Sequence, residues 1–130
     1  MNILVVDDLV DSALMTAALI AKMGHDVEVA YDGARAVELA AMFEPDLVLL
    51  DLGLPDIDGY EVVHRLRELS WAKRPSLIVA VTGWNREQER RRANDIGFDE
   101  FLVKPVPVDV LRDLVSRIAE RRVESNSPKK

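Results

Sequence analysis

The feature that most constrains the fold is a short apolar run held between two acids. Residues Leu47 to Leu50 are consecutive and apolar, Asp46 precedes them, and Asp51 follows, ahead of a loop rich in Gly, Pro and Asp at residues 53–59. A run of this length bounded by turn signals is typical of a strand buried on both faces, as in a parallel sheet. Asp51 then stands at the carboxyl end of that strand, the edge at which open α/β sheets bind ligands.

Composition narrows the classes of protein that this chain can represent. Its 130 residues predict one domain with a real core, and the lack of cysteine excludes disulfides and thiolate chemistry. A net charge of −6 argues against nucleic acid as a direct partner. Residues 1–6 lack the charged start of a signal peptide, and no apolar run approaches a membrane span, so we expect a cytoplasmic protein without a membrane partner.

Five strand-like segments alternate with five helical segments along the chain. We predict strands at residues 3–6, 26–30, 47–50, 77–81 and 101–103. We predict helices at residues 12–23, 34–42, 59–69, 86–96 and 107–122. This alternation predicts a parallel α/β sandwich with right-handed crossovers over residues 1–122. Residues 123–130 are polar, and we expect them to form a disordered tail.

The first predicted helix combines a core face with a more exposed apolar face. Asp11 is its predicted N-cap, and Gly24 is predicted to end it in the left-handed conformation. Met15 and Leu19 are predicted to lie beside the core stripe and to be partly exposed. The stripe itself is predicted from helical spacing to consist of Leu14, Ala17, Ala18 and Ala21.

Chemically active residues follow four of the five predicted strands. Asp7 and Asp8 follow the first strand, Asp51 the third, Thr82 the fourth and Lys104 the fifth. The ends of parallel strands share one edge of a sheet, so these side chains can converge. Three carboxylates held close together repel unless a cation lies among them, and Mg²⁺ prefers oxygen ligands. A cation, a carboxylate, a hydroxyl and an ammonium are the groups needed to move a phosphoryl group onto an aspartate.

These motifs together resemble the receiver domain of the response regulators of two-component and phosphorelay signalling. The resemblance covers residues 1 to about 122, and the receivers that the chain resembles include those of chemotaxis. It implies a flavodoxin-like (βα)5 sandwich with strand order 2-1-3-4-5 and helices on both faces. The residues that carry it are Asp7-Asp8, Leu50 to Pro55 with Asp58-Gly59, Thr82-Gly83, and Phe101 to Pro105 with Lys104.

The resemblance implies a role for each residue of the predicted site. Asp51 is the phosphoacceptor, and Thr82 and Lys104 contact the phosphoryl group. Mg²⁺, with Mn²⁺ as an alternative ion, is bound directly by Asp8, Asp51 and the backbone carbonyl of Gly53, and through water by Asp7. The protein is then a signalling phosphoacceptor that catalyses its own phosphorylation and slow dephosphorylation, and not an enzyme acting on a separate substrate.

The family's partners are also implied by the resemblance. The phosphoryl donor is a histidine of a sensor kinase or of a phosphotransfer protein, which we expect to dock on Met15, Leu19 and Pro105. Phe101 matches the switch aromatic that turns inward as Thr82 moves to the phosphate. The signal then leaves through the face of the fourth helix, fifth strand and fifth helix to a downstream protein target.

Four positions depart from what some members of the family carry. Gly53 has no side chain to orient water and Trp84 is able to cover the site, so we expect slow self-dephosphorylation. Dimerising DNA-binding members carry an acid and an arginine where this chain has Val110 and Leu114, which puts that type of dimer in doubt.

Two other functions fit parts of the pattern. One is a flavodoxin-like binding module that is not phosphorylated, although phosphate-bearing cofactors prefer amides and hydroxyls to paired acids. The other is a Mg²⁺-dependent hydrolase acting through an aspartyl phosphate, which usually needs a second acid where Gly53 stands. Asp56 and Asp58 are predicted to be loop and helix-capping residues and not metal ligands.

Overall fold

A computed structural model describes residues 1–69, 77–83 and 98–126 of the chain. Its strands are β1 (Asn2–Val6), β2 (Asp26–Ala30), β3 (Leu47–Asp51), β4 (Leu77–Thr82) and β5 (Glu100–Val103). Its helices are α1 (Val10–Lys22), α2 (Gly33–Phe43), α3 (Gly59–Glu68) and α4 (Val108–Asn126). The helix predicted at residues 86–96, Trp84 and the side chain of Thr82 lie outside the described part of the chain.

The strands form one parallel sheet in the order β2-β1-β3-β4-β5, which confirms the predicted flavodoxin-like order. Every residue of β3 is buried, as the apolar run between two acids predicts. The register aligns the strand ends, because Leu50 lies opposite both Val6 of β1 and Ala80 of β4. The residues that follow these strands therefore come out at one edge of the sheet.

Each face of the sheet carries its own hydrophobic core. Alternate residues of the central strands point to opposite faces, because the side-chain period of a strand is two. One core packs Val48 and Leu50 of β3 against α2 and α3. The other packs Leu47 and Leu49 against α1 and α4. Helices thus cover both faces, and β3 is buried from both sides.

The predicted core stripe of α1 is wrong in most of its members. The residues that α1 buries are Ala13, Ala17 and Ile20, whereas Leu14 is 51% exposed and Ala18 and Ala21 are also exposed. This helix is apolar nearly all the way round, so two rows of residues satisfy the helical spacing. Its orientation on the sheet, which the spacing does not specify, selects the row that is buried.

The start of α1 also differs from the prediction. The helix begins at Val10 with Leu9 in the N-cap position and without a capping bond from a side chain, so Asp11 lies inside the first turn. An acid there still interacts favourably with the positive end of the helix dipole. At the other end, Gly24 has a φ of 92°, as predicted for the residue after the helix.

The last helix buries four apolar residues and is longer than predicted. Leu111, Leu114, Val115 and Ile118 are all buried against the sheet. The helix continues to Asn126, four residues into the stretch predicted to be a tail. Because Leu114 belongs to this core, it does not present a side chain for a dimer contact of the kind that an arginine makes.

Candidate functional site

Asp7 and Asp51 lie side by side at the carboxyl edge of the sheet. Asp51 is the last residue of β3, and Asp7 directly follows β1, where its N–H donates to the carbonyl of Ala30, at 3.0 Å. That bond extends the pairing of β1 with β2 and fixes the backbone of Asp7. Asp7 is 6% exposed and Asp51 is 7% exposed, which is rare for acids that have no compensating partner.

Lys104 is the partner that these two acids share. Its Nζ lies 3.1 Å from Asp51 Oδ2 and 3.4 Å from Asp7 Oδ2. Burial by itself would lower the pKa of Lys104, but the hydrogen bond and negative charge of Asp51, with those of Asp7, outweigh it. The pKa is therefore raised above the ordinary value, and the ammonium keeps its charge at neutral pH.

The remaining oxygens of the two buried acids are also satisfied. Asp51 Oδ1 accepts a hydrogen bond from the N–H of Gly53 at 2.9 Å. Asp7 Oδ1 accepts one from the N–H of Leu9 at 3.0 Å. Both carboxylates thus bind the amide two residues onward with one oxygen and Lys104 with the other. These bonds hold both side chains in one orientation, a detail that the sequence pattern does not reveal.

The three acids form a group that suits a divalent cation. Asp7, Asp8 and Asp51 each offer an oxygen, and these oxygens lie within 4.8 Å of one another. With Lys104 included, the group keeps two negative charges in excess, and its donors are the hard oxygen ligands that Mg²⁺ prefers. The residues present therefore fit a Mg²⁺ ion.

The remaining residues of the predicted site are Thr82, Gly53 and Phe101. Thr82 ends β4 and pairs with Val103, the residue before Lys104, so its backbone stands at the same edge. Gly53 is exposed in the loop after Asp51. Phe101 is partly buried and packs against the core that β3 shares with α2 and α3.

The predicted docking residues line a groove beside the acids. The groove has a volume of about 580 Å³, and Met15, Leu19 and Pro105 line it together with Asp51 and Lys104. Met15 is 74% exposed, whereas Leu19 is only partly buried and Pro105 is exposed. The groove therefore connects an exposed apolar surface to the two charged groups.

The sequence pattern missed part of this apolar surface. Leu9, Val10 and Leu14 at the start of α1, and Val108 and Val110 at the start of α4, are exposed apolar residues as well. A signal was present in the sequence, because Leu9 and Val10 directly follow the paired acids and precede the helix predicted at residues 12–23. Patches of this kind often mark contact surfaces for other proteins.

The sheet order and the residues at its edge define the class of protein. Five parallel strands in this order, with helices on both faces and acids at the carboxyl edge, are typical of flavodoxin-like signalling domains. The response regulator receiver domain matches residues 3–116 of the chain. The chain belongs to this family.

Similar proteins are known at the level of both sequence and structure. The sensor histidine kinase RcsC of Salmonella typhimurium is 34% identical over 121 residues, which are 93% of this chain and 12% of the kinase. A two-component response regulator from Clostridium difficile has a TM-score of 0.87 at 26% identity, over 98% of this chain and 99% of that one. The chemotaxis protein CheY4 of Vibrio cholerae has a TM-score of 0.84 at 26% identity, over 90% and 97%.

The chain corresponds to a small part of the length of its kinase relative. The chain spans 12% of the length of the kinase RcsC. Within the described ranges, no helix is both long and apolar enough to cross a bilayer.

Proposed function

We propose that the chain accepts a phosphoryl group on Asp51 from a phosphohistidine of a sensor kinase or phosphotransfer protein, in a Mg²⁺-dependent reaction. The observation that carries this proposal is the Lys104 ammonium between the buried carboxylates of Asp51 and Asp7, beside an open groove. A buried nucleophile paired with a cation, and reachable from the surface, suits transfer of an anionic group.

In the transfer step, a carboxylate oxygen of Asp51 forms a bond to phosphorus as the bond from phosphorus to the histidine nitrogen breaks. The electron pair of the broken bond returns to the ring nitrogen of the donor. The Gly53 N–H holds one oxygen of Asp51 in place, at 2.9 Å. Lys104 exchanges its bond to Asp51 for one to a phosphoryl oxygen, and Thr82 contacts another of these oxygens.

The metal site consists of residues that are already close to Asp51. Asp8, Asp51 and the Gly53 carbonyl would bind Mg²⁺ directly, with Mn²⁺ as an alternative, and Asp7 would bind through water. The ion would neutralise charge on the transferred group. The same acids disfavour the alternative of a module that binds a phosphate-bearing cofactor, because three carboxylates repel a phosphate.

The donor would dock on the groove that Met15, Leu19 and Pro105 line. A helix pair of a kinase or phosphotransfer protein has the apolar surface to cover these residues, and the groove leads it to Asp51. Similarity to a sensor histidine kinase supports coupling to such a partner. A phosphoacceptor of this kind works in the cytoplasm, which is where we propose that the chain acts.

Phosphorylation would then change the surface presented to a downstream protein target. Thr82 would move to the phosphoryl group and Phe101 would turn inward, altering the face formed by β5, the last helix and the helix predicted at residues 86–96. Phe101 is partly buried in the structure, so its ring has room to become more buried.

The test is phosphorylation of the purified chain with acetyl phosphate and, in parallel, binding of beryllofluoride. Intact mass is expected to show one phosphoryl group that requires Mg²⁺. Asp51→Asn is expected to abolish it, whereas the matched control Asp11→Asn, which alters an exposed acid on α1, keeps it. A wild-type chain that is not labelled with Mg²⁺ present, or an Asp51→Asn variant labelled equally, would overturn the proposal.

A further inference from the structure

A residue of the loop after Asp51 binds the start of α2. Asp56 Oδ1 accepts a hydrogen bond from the N–H of Gly33 at 2.9 Å, and Asp56 Oδ2 accepts one from the N–H of Ala34 at 3.0 Å. Gly33 is the first residue of α2, so a single carboxylate binds the first two amides of a helix that lies 22 and 23 residues earlier in the chain. The sequence predicts Asp56 only as a loop or capping residue, without naming the helix.

Asp56 completes the hydrogen bonding of this helix end. The first four N–H groups of a helix lack partners within the helix and need them elsewhere. Asp56 accepts hydrogen bonds from two of these N–H groups. The side chain of Asp32 accepts one from the N–H of Arg35, at 2.7 Å, and the backbone carbonyl of Asp32 accepts one from the N–H of Ala36, at 3.1 Å. Two acids therefore cap α2: Asp32, which directly precedes the helix, and Asp56, which lies in the loop after Asp51.

Packing at Gly33 shows that this contact is close. A Cβ atom at Gly33 would lie 2.7 Å from a methyl carbon of Val62 and 3.2 Å from the Cβ of Ile57. Glycine thus allows α2 to begin directly against α3 and the end of the loop. The amides of Gly33 and Ala34 reach Asp56 because no side chain separates the two segments.

The loop is fixed at both of its ends as well. At its start, the N–H of Leu52 donates to the carbonyl of Val81 at 3.1 Å. At its end, a Cβ atom on Gly59 would lie 2.9 Å from the Cα of Leu52, so the loop closes tightly on itself. Between these ends, Leu54 and Ile57 pack against the core, whereas Gly53 is exposed and its N–H donates to Asp51. The bonds of Asp56 to α2 add a polar contact to this packing and join the middle of the loop to the start of the helix.

We propose that Asp56 is a positioning residue, which holds the loop on α2 so that Gly53 stays at the metal and phosphoryl site. The inference rests on the proposed function, since it concerns how that site is prepared for Mg²⁺. Only Leu54 and Pro55 separate Gly53 from Asp56, so a displaced Asp56 displaces Gly53 as well. A loop held in place before the ion arrives loses less conformational entropy when the ion binds.

The experiment compares Asp56→Ala with Asp32→Ala. Both variants remove a side-chain cap from the same end of α2, and only Asp56 connects α2 to the loop. Mg²⁺ affinity is measured by calorimetry, and thermal unfolding is recorded without metal. Both variants are expected to unfold at lower temperature, while only Asp56→Ala weakens Mg²⁺ binding, by about 10-fold, as expected for groups that orient metal ligands.

A second readout does not involve the metal. Hydrogen exchange at the Gly53 amide is expected to be faster in metal-free Asp56→Ala than in wild type or Asp32→Ala. Should Asp56→Ala fail to fold, Asp56→Asn keeps the shape and one acceptor, and it is expected to show the same changes in smaller measure.

The outcomes separate this inference from the proposed function. A wild-type chain that does not bind Mg²⁺ would overturn the proposed function. A wild-type chain that binds Mg²⁺ with an affinity unchanged in Asp56→Ala would overturn the positioning role alone. Equal weakening in Asp32→Ala would also overturn it, because Asp56 would then act only as a cap of α2.

Discussion

Lys104 and Asp51 are paired in the structure, with Nζ of the lysine 3.1 Å from Oδ2 of the aspartate. The proposed nucleophile and the cation proposed to bind the phosphoryl group thus neutralise each other before the reaction. Transfer requires them to separate, and each then needs a new partner of opposite charge. Mg²⁺ is suited to replace Lys104 beside Asp51, and the phosphoryl oxygens are suited to replace Asp51 beside Lys104.

Replacing Lys104 with Gln is expected to destabilise the metal-free protein by about 2 kcal/mol, because two buried carboxylates lose their shared ammonium. The difference from wild type should depend on pH in one direction. Folding raises the pKa of Lys104 above its ordinary value of 10.5, so its contribution is complete below that pH and is lost as pH rises through the folded value.

Chemical denaturation of wild type and Lys104→Gln between about pH 7 and 11 measures this difference. Titration of other lysines and tyrosines affects both proteins alike, so it cancels. A difference that is constant across the whole range, or that shrinks already between neutral pH and pH 9, would contradict the assignment. Acetyl phosphate labelling of the variant is expected to be slower as well.

Met15→Lys is expected to slow phosphotransfer from a histidine donor at least several-fold and to spare the reaction with acetyl phosphate. The side chain lines the groove at the site but does not touch Asp51 or Lys104 by any hydrogen bond, so the charge should hinder docking and not chemistry. Met42→Lys is the matched control, because Met42 on α2 is 70% exposed where Met15 is 74% exposed. Equal slowing of both reactions by Met15→Lys would exclude a docking role.

Alanine is expected to destabilise the protein at Gly59 and to leave its stability nearly unchanged at Gly53. At Gly59, a Cβ atom would lie 2.8 Å from a methyl carbon of Leu52 and 2.9 Å from its Cα, so Gly59→Ala should cost about 1–3 kcal/mol. At Gly53, a Cβ atom would meet only Asp51 Oδ1 among the described residues, at an ordinary 3.5 Å, so Gly53→Ala should be close to neutral. Urea unfolding measures both, and equal costs would contradict the packing described for the loop.

The lifetime of the phosphorylated state is expected to depend on the side chain at position 53. Gly53→Asn adds a group that can orient water towards the aspartyl phosphate, so it should dephosphorylate faster than wild type. Gly53→Ala adds only a methyl group and should not. Decay of the phosphorylated chain after removal of the donor measures this, and equal lifetimes in all three proteins would exclude the role. Trp84→Ala tests the second part of the same hypothesis and is also expected to shorten the lifetime.

The sequence predicts the sheet and the chemistry at its edge better than it predicts the surface of α1. β3 buries the expected residues because a continuous apolar run leaves only one arrangement, with both of its faces covered. The first helix has two apolar rows, and its contact with the sheet selects the row of Ala13 and leaves Leu14 exposed. Local spacing holds no information on that choice.

The sequence by itself determined that acids and a lysine follow the strands of a parallel sheet, because strand periods and strand ends are local properties of the chain. Only the tertiary structure decided that Lys104 binds both Asp7 and Asp51, which are 97 and 53 residues away. It also decided that Asp56 binds the start of α2. Contacts over such separations depend on which elements pack together and at what distance, and packing is a property of the whole fold.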